Sequence, residues 1–315
     1  MINKFFTLRS LSPVHCGIGQ GLNDIDLPTA RNSVSGHPIV PASSIKGVLK
    51  DEFINNGLGE KIGKKVDDKN WKEKARLLFG DITIESDSKV IEFASSLSVG
   101  DANLLALPVR SFFGTFAYLS SPYSLQQLKN LYRRTDLTVQ IPGIPTIGLR
   151  DDNGCYKAII TENSLLKQDS NNSIYLEEMD LLIEKENDLA DKWANFIAPL
   201  FFNDTEGQDI FKKRFAVVDD NALNFSCNCG LPVDARTSID QETGTVKDGA
   251  LWYEETVPPE SLFVGIMGVN RSYGSNSDKK ISATDLANFF TTDSIYCQIG
   301  GKATTGKGFV AINFV

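Results

Sequence analysis

Histidine is almost missing from this chain: among 315 residues there are two, His15 and His37. Cysteine is scarce as well, and the five present (Cys16, Cys155, Cys227, Cys229 and Cys297) are odd in number and scattered. That pattern argues against a secreted disulfide framework and for reduced thiols. Cys227-Asn228-Cys229 has C-x-C spacing, but no second cysteine pair accompanies it and both histidines lie far off in sequence. A structural zinc site normally shows two matched ligand pairs. No run of about 18 apolar residues occurs, and Met1-Ile2-Asn3-Lys4-Phe5-Phe6-Thr7 turns polar too soon for a signal peptide. The expectation is a cytoplasmic chain with no membrane partner. Also missing is any excess of positive charge: 32 Lys and Arg stand against 40 Asp and Glu, a net −8 that on its face argues against a nucleic-acid partner.

The distribution of charge alters that reading. Residues 176–191 hold Glu177, Glu178, Asp180, Glu184, Glu186, Asp188 and Asp191 against Lys185 alone, and elsewhere acids and bases nearly balance. A basic groove on one face is therefore compatible with the composition. A hydrophobic content of 41% is enough for one large core or two modest ones.

Residues 5–11 mix apolar and β-favouring types and stop at Ser12-Pro13, as a strand would. From Ser43 or Ser44, with serine in the cap position, Ile45, Val48, Leu49 and Phe53 recur at helical spacing up to Gly57. Lys46 and Lys50 stand four apart on the other flank, either a solvated face or a phosphate-contacting edge. Residues 61–76 are charged with mixed signs and read as a surface excursion. Residues 90–118 are β-rich, Ser124 opens a second helix, and 138–173 are rich in loop formers. The acidic run reads as the outer face of a third, amphipathic helix whose stripe is Leu182, Leu189, Trp193, Phe196 and Leu200. Residues 235–255 make a hairpin whose arms carry Arg236, Ile239, Val246 and Lys247, a mixture suited to reaching over a partner or to an ordinary two-stranded excursion. A strand over 261–267, a short helix near 283–290 and a final strand over 309–315 close the pattern.

Two glycine-rich segments bracket all this. His15-Cys16-Gly17-Ile18-Gly19-Gln20-Gly21 precedes the first helix, and Gly300-Gly301-Lys302-Ala303-Thr304-Thr305-Gly306-Lys307-Gly308 precedes the last strand. The second lacks the full G-x-x-x-x-G-K-[ST] order, which argues against a P-loop. Glycines admit a close partner, and the first turn of a helix offers N–H groups to an anion, so polyanion binding is the first expectation.

His15-x-Gly17-x-Gly19, Asp26-Leu27-Pro28, Pro41-Ala42-Ser43-Ser44-Ile45-Lys46-Gly47, Leu78-Phe79-Gly80, Pro108-Val109-Arg110-Ser111 with Gly114, residues 244–251 and the late glycine segment occur in an order that resembles the RAMP superfamily of CRISPR RNA-binding proteins. Within it, the chain resembles the backbone subunit of the type III-B (Cmr) effector complex. The type III-A backbone subunit shares the serine–lysine–glycine helix and the late loop, while Asp26-Leu27-Pro28 followed by Arg31, and residues 107–111, look more like III-B.

The resemblance implies an α+β fold: a single RAMP domain over 1–315 with an RRM-like, ferredoxin-type core and insertions at about 58–76 and 138–214, plus a thumb-like hairpin at 235–255. It implies a guide-RNA-binding subunit that polymerises with further copies and other Cmr subunits and cleaves complementary target RNA at regular six-nucleotide intervals. A non-catalytic, purely structural subunit and a guide-precursor processing enzyme using His15 are the alternatives. The family's cleaving carboxylate maps onto Asp26, which could hold Mg²⁺ or another divalent ion near the phosphate, or could cap a turn or pair with Arg31. Asp24 would share its face in an extended loop. His15 could act as a general base, contact the guide or fix the glycine loop, and Glu254 could assist a neighbouring site or be a charged strand end. Guide contacts are expected from Lys46, Ser43, Ser44, Gly17, Gly19, Gly300, Gly301, Lys302, Gly306 and Lys307. Arg110 is either an RNA contact or a buried ion pair.

Overall fold

The computed structural model describes residues 1–21, 25–65, 70–84, 90–135, 137–148, 154–168, 172–177, 179–184, 188–273, 280–290 and 294–315, with backbone alone for 81–84 and 90–93. Asp24, Glu178, Lys185 and Glu186 lie outside the described residues. In chain order the strands are β1 (Ile2–Ser10), β2 (Ile39–Val40), β3 (Asp81–Ile84), β4 (Val90–Phe93), β5 (Leu97–Val99), β6 (Ala102–Arg110), β7 (Phe116–Ser120), β8 (Tyr156–Ile160), β9 (Ser173–Tyr175), β10 (Asp180–Ile183), β11 (Phe215–Val218), β12 (Val233–Ile239), β13 (Val246–Glu255), β14 (Leu262–Val269), β15 (Ile295–Gln298) and β16 (Phe309–Phe314). The helices are α1 (Ala42–Ile54), α2 (Leu58–Lys65), α3 (Trp71–Phe79), α4 (Pro122–Tyr132), α5 (Leu189–Phe201), α6 (Thr205–Lys212), α7 (Asp220–Cys229) and α8 (Ala283–Ala287).

Side chains on successive strand residues point to opposite faces, and β1 uses both. Phe6 and Leu8 join one core with Ile45, Leu49 and Phe53 of α1, while Phe5 joins a second with Leu125 of α4 and Trp193 of α5. β14 does the same, sending Phe263 to the first core and Leu262 and Val264 to the second. Both faces of the sheet are therefore covered at these strands, which is why β14 reads as a nearly continuous apolar run. The sheet has 12 strands in the order β15-β16-β1-β14-β6-β7-β11-β8-β10-β9, with β2 on β6 and β5 on β14. It is mixed: β1 is antiparallel to β14 and β16, whereas β11 is parallel to β7 and β10 to β8. The fold is α+β, with β12 and β13 forming a separate two-stranded hairpin. No described helix is long and apolar enough to cross a membrane.

Three expectations change. The acidic run is not the outer face of a helix: Leu181, Leu182 and Ile183 lie in β10, and the helix begins only at Leu189. Pairing with β8 on one side and β9 on the other holds Leu182 in the sheet despite its helical spacing to Leu189, and α5 buries Ala190, Trp193, Ala194, Ile197 and Phe201 instead. Residues 61–65 and 70–76 are not a loose excursion, because α2 and α3 pack on α1. Gly59 and Gly63 make room for Trp71, whose ring atoms would lie 2.8–3.1 Å from a Cβ there. Lastly, no serine caps α1: its N-cap is Pro41, and the carboxylate of Asp101 accepts the Ala42 N–H at 2.8 Å. Ser43 and Ser44 fall inside the first turn.

Phe53 is fully buried, with Phe79, Phe289 and Phe290 ring centroids 5.6–6.3 Å away. Phe53→Ala should lower the unfolding free energy by about 3–5 kcal/mol, read from the urea midpoint at unchanged slope.

Candidate nucleic-acid interface

The two glycine segments are far apart in sequence and zipped together in space. Gly301 N–H donates to the carbonyl of His15 at 2.8 Å, and Gly308 N–H to that of Pro13 at 2.8 Å. Gly300 has φ +88° and Gly308 φ +91°, and a Cβ on either would strike a carbonyl oxygen, of His15 or of Ile299. Here glycine is required by both conformation and contact. The zipped loops and the first turns of α1 enclose a groove of ≈ 390 Å³ lined by Cys16, Gly17, Ser43, Ser44, Gly47, Val48, Gly300 and Gly301. Five of the expected guide contacts thus meet in one place. The lining is small and uncharged, so main-chain N–H groups and the positive end of α1 are what it offers an anion. Cys16 is inert here, since burial pushes its thiol up to about 11 against a hydrogen bond with Ser44.

The lysines do not line that groove. Lys46 points its ammonium at the Leu97 carbonyl, 3.1 Å away, where burial and then the nearby Lys50 charge lower its pKa. Lys307 is buried, bound to Asp234 at 2.9 Å and to Glu254 at 3.5 Å. Lys302 stays one-third exposed, paired with Glu254 at 2.7 Å. Gly306 (φ +80°) closes the short turn at Ala303–Thr305, and Gly19 (φ +96°) lies exposed in the first loop. Arg110 is not a buried ion pair: it is 80% exposed beside Glu177 at 2.9 Å, a pair worth little in water.

Asp26 sits at the root of the hairpin. Leu27 N–H donates to the Tyr253 carbonyl and Glu255 N–H to the Leu27 carbonyl, both at 3.0 Å, so this loop runs beside β13. Tyr253 N–H in turn donates to Oδ2 of Asp26 at 2.8 Å, orienting an exposed carboxylate. The alternative partner, Arg31, is occupied elsewhere. It binds Glu255 at 2.6 Å and the carbonyls of Gly36 and Cys227 at 3.0 Å.

Neighbouring glutamates of β13 face opposite ways. Glu255 takes Arg31 and the Thr29 N–H, fastening the first loop, while Glu254 takes Lys302, Lys307, Arg236 and the Trp252 indole, fastening the late one. His15 is buried, with Nδ1 2.8 Å from the Glu255 carbonyl. A carbonyl only accepts, so Nδ1 carries the proton and Nε2 faces Gly17, where a Cβ would come within 2.7 Å. The ring thus ties the first loop to the hairpin root. At the far end Ile239 pairs with Val246 and both are exposed, as is Lys247. Glu255, Asp234 and Tyr253 carry no motif of their own. Strand parity, which separates Glu254 from Glu255, is the one signal that could have found them.

Among the described residues no three His, Cys, Asp or Glu side chains gather as a metal site. A single carboxylate such as Asp26 suits an ion that keeps most of its waters and shares phosphate oxygens, as Mg²⁺ does. Burial alone would disfavour the ionised Glu254, yet the hydrogen bonds from Lys302 and Trp252 and the charges of Lys302 and Lys307 outweigh it and bring its pKa from 4.5 to about 2. The stabilisation is therefore complete above 4.5 and is lost as pH falls towards 2. Glu254→Gln should remove about 3 kcal/mol at neutral pH and flatten the acid limb of stability against pH, followed by Trp252 fluorescence.

A model of the RAMP superfamily matches residues 7–311. The CRISPR system Cmr endoribonuclease Cmr4 of Pyrococcus furiosus is 32% identical over 306 residues, 97% of this chain and 93% of that protein. The CRISPR system CMR subunit Cmr4 of Saccharolobus solfataricus is 23% identical over 338 residues, covering 99% and 96%. The crystal structure of oligomeric Cmr4 from Pyrococcus furiosus has a TM-score of 0.68 at 25% identity, covering 100% of this chain and 99% of that one. A chain of the type III-B Cmr-beta complex bound to cognate target RNA shares the fold, with a TM-score of 0.66 at 20% identity over 100% and 97%. The family match takes in both glycine loops and every residue that lines the groove between them, and the protein belongs to the RAMP superfamily and is a Cmr4 homologue, of the type III-B Cmr backbone kind.

Proposed function

We propose that this chain is a guide-RNA-binding backbone subunit of a type III-B Cmr complex and an endoribonuclease that cuts complementary target RNA at regular intervals. The carrying observation is the arrangement of one groove and one carboxylate: residues from both glycine loops and α1 line the groove, and Asp26 stands apart from it at the root of the hairpin. Guide and cleaved strand are served by separate places on one subunit. The groove lacks side chains that read bases, so sequence specificity comes from pairing between guide and target. Each copy touches only a few nucleotides, and a row of copies with other Cmr subunits builds the full track, which is how a chain of net charge −8 binds RNA. The hairpin over 235–255 acts as the thumb. The reading also includes an RRM-like, ferredoxin-type core, supported by β16, β1, β14 and β6 side by side with α1 and α8 in the core on one face, and with 58–76 and 138–214 as insertions in a single domain.

In the reaction, the ribose 2′-hydroxyl gives up its proton to water as its oxygen bonds to the adjacent phosphorus, and the bond to the 5′-oxygen breaks as that oxygen takes a proton from water, leaving a 2′,3′-cyclic phosphate and a 5′-hydroxyl. Asp26, oriented by the Tyr253 N–H, is placed at this phosphate. A divalent ion bound there would offset negative charge developing on the phosphate oxygens. His15, held by the Glu255 carbonyl, keeps the first loop in place.

In assembled complex with guide and complementary RNA, Asp26→Asn should slow cleavage by about 10²–10³-fold with guide loading unchanged, and chelation should stop the unsubstituted complex until Mg²⁺ is restored. Continued cutting at regular intervals by the variant would assign the chemistry to other residues and leave a structural subunit.

A further inference from the structure

Arg31 follows Asp26 by five residues, and its guanidinium reaches both ends of the hairpin. Nη2 donates to Oε1 of the buried Glu255 at 2.6 Å, while Nη1 donates to the carbonyls of Gly36 and Cys227 at 3.0 Å. Cys227 lies in the last turn of α7, where the final carbonyls lack partners within the helix and the partial negative charge favours a cation. Gly230, Leu231 and Pro232 are all that separate α7 from β12, and Glu255 is the last residue of β13. One side chain therefore grips the chain just before the hairpin begins and again where it ends.

The carboxylate of Asp26 is exposed, and what orients it is the Tyr253 N–H of β13. Its place thus depends on how the first loop lies against that strand. Leu27 exchanges two main-chain bonds with β13, through Tyr253 and Glu255, and two bonds along one line leave a loop free to twist about that line. Glu255 removes the freedom: Oε2 accepts the Thr29 N–H at 3.0 Å and Oε1 accepts from Arg31, so two oxygens hold two residues of the same loop. Arg31 then ties this assembly to the end of α7. Loop, β13 and α7 are held together at the place where Asp26 stands.

We propose that Arg31 is a positioning residue for cleavage: by clamping the entry and the exit of the hairpin to the first loop, it fixes where the Asp26 carboxylate stands against the target phosphate. This rests on the reading that Asp26 serves the cleaved strand. The planar fork matters more than the charge, because a guanidinium binds a carboxylate and carbonyls in fixed directions at once, whereas an ammonium offers its donors from one nitrogen on a flexible stem.

The test uses assembled complex with guide and complementary RNA, in single turnovers at saturating target. Arg31→Lys should slow cleavage by about tenfold or more, with guide loading and target affinity unchanged. Amide exchange at Leu27, Tyr253 and Glu255 should quicken in the full-length variant while β1 and β14 exchange as before. Added to Asp26→Asn, Arg31→Lys should cause no further loss, because it acts through that carboxylate. Full-rate cutting by Arg31→Lys, with Asp26→Asn slow, would overturn the positioning role and leave the reading of Asp26 standing. Full-rate cutting by Asp26→Asn would fell that reading and this proposal together. A further fall in the double variant, or a loss of rate matched by lost guide loading or target affinity, would make Arg31 a general support of the fold and overturn the proposal.

Discussion

The Glu254 carboxylate, almost without solvent, is the joint on which the functional face turns. Lys302 and Lys307 from the late glycine loop, and Arg236 and Trp252 from the hairpin, all meet on it. A buried charge is tolerable only when compensated, and here each partner is needed by the others: without Glu254, Lys307 would keep Asp234 alone. One residue further along the strand, Glu255 performs the same service for the first loop through Arg31 and Thr29. The hairpin is therefore no loose appendage at its root. It is the strut between two loops that would otherwise be joined only by a few main-chain bonds.

This arrangement reconciles an acidic chain with the RNA partner proposed for it. Several lysines that composition would assign to phosphates are consumed inside the protein, Lys46 on a carbonyl and Lys307 on two carboxylates. What faces the groove is main chain. Peptide N–H groups carry no net charge, need little space and are fixed before a ligand arrives, so a cradle of glycine and serine can grip a phosphate without burdening the surface with cations.

Local pattern carried much of the fold: β1, α1, the hairpin and the last strand all follow from periodicity and turn residues, and the order of glycine motifs pointed to the family. The long-range bonds were not readable. Nothing in Asp101 announces that it closes the N-terminus of α1, and nothing local distinguishes Leu182 in a strand from Leu182 in a helix when Leu189 lies seven residues on. Asp26 is visible in the sequence as a carboxylate beside a glycine-rich loop, but the group that orients it is a backbone N–H of Tyr253, which no side-chain pattern encodes.

That backbone bond limits how the hairpin can vary among related chains. Asp26, Glu254 and Glu255 depend on which way consecutive residues of β13 point, and one residue gained or lost near the root would exchange the two faces. Two residues would restore the facing but shift the register against Leu27. The turn from Asp240 to Thr245 has no such obligation, its bonds closing within the turn itself. Length is therefore free to drift at the tip and frozen at the base, so hairpins of different reach can be mounted beside the same Asp26 carboxylate without moving it.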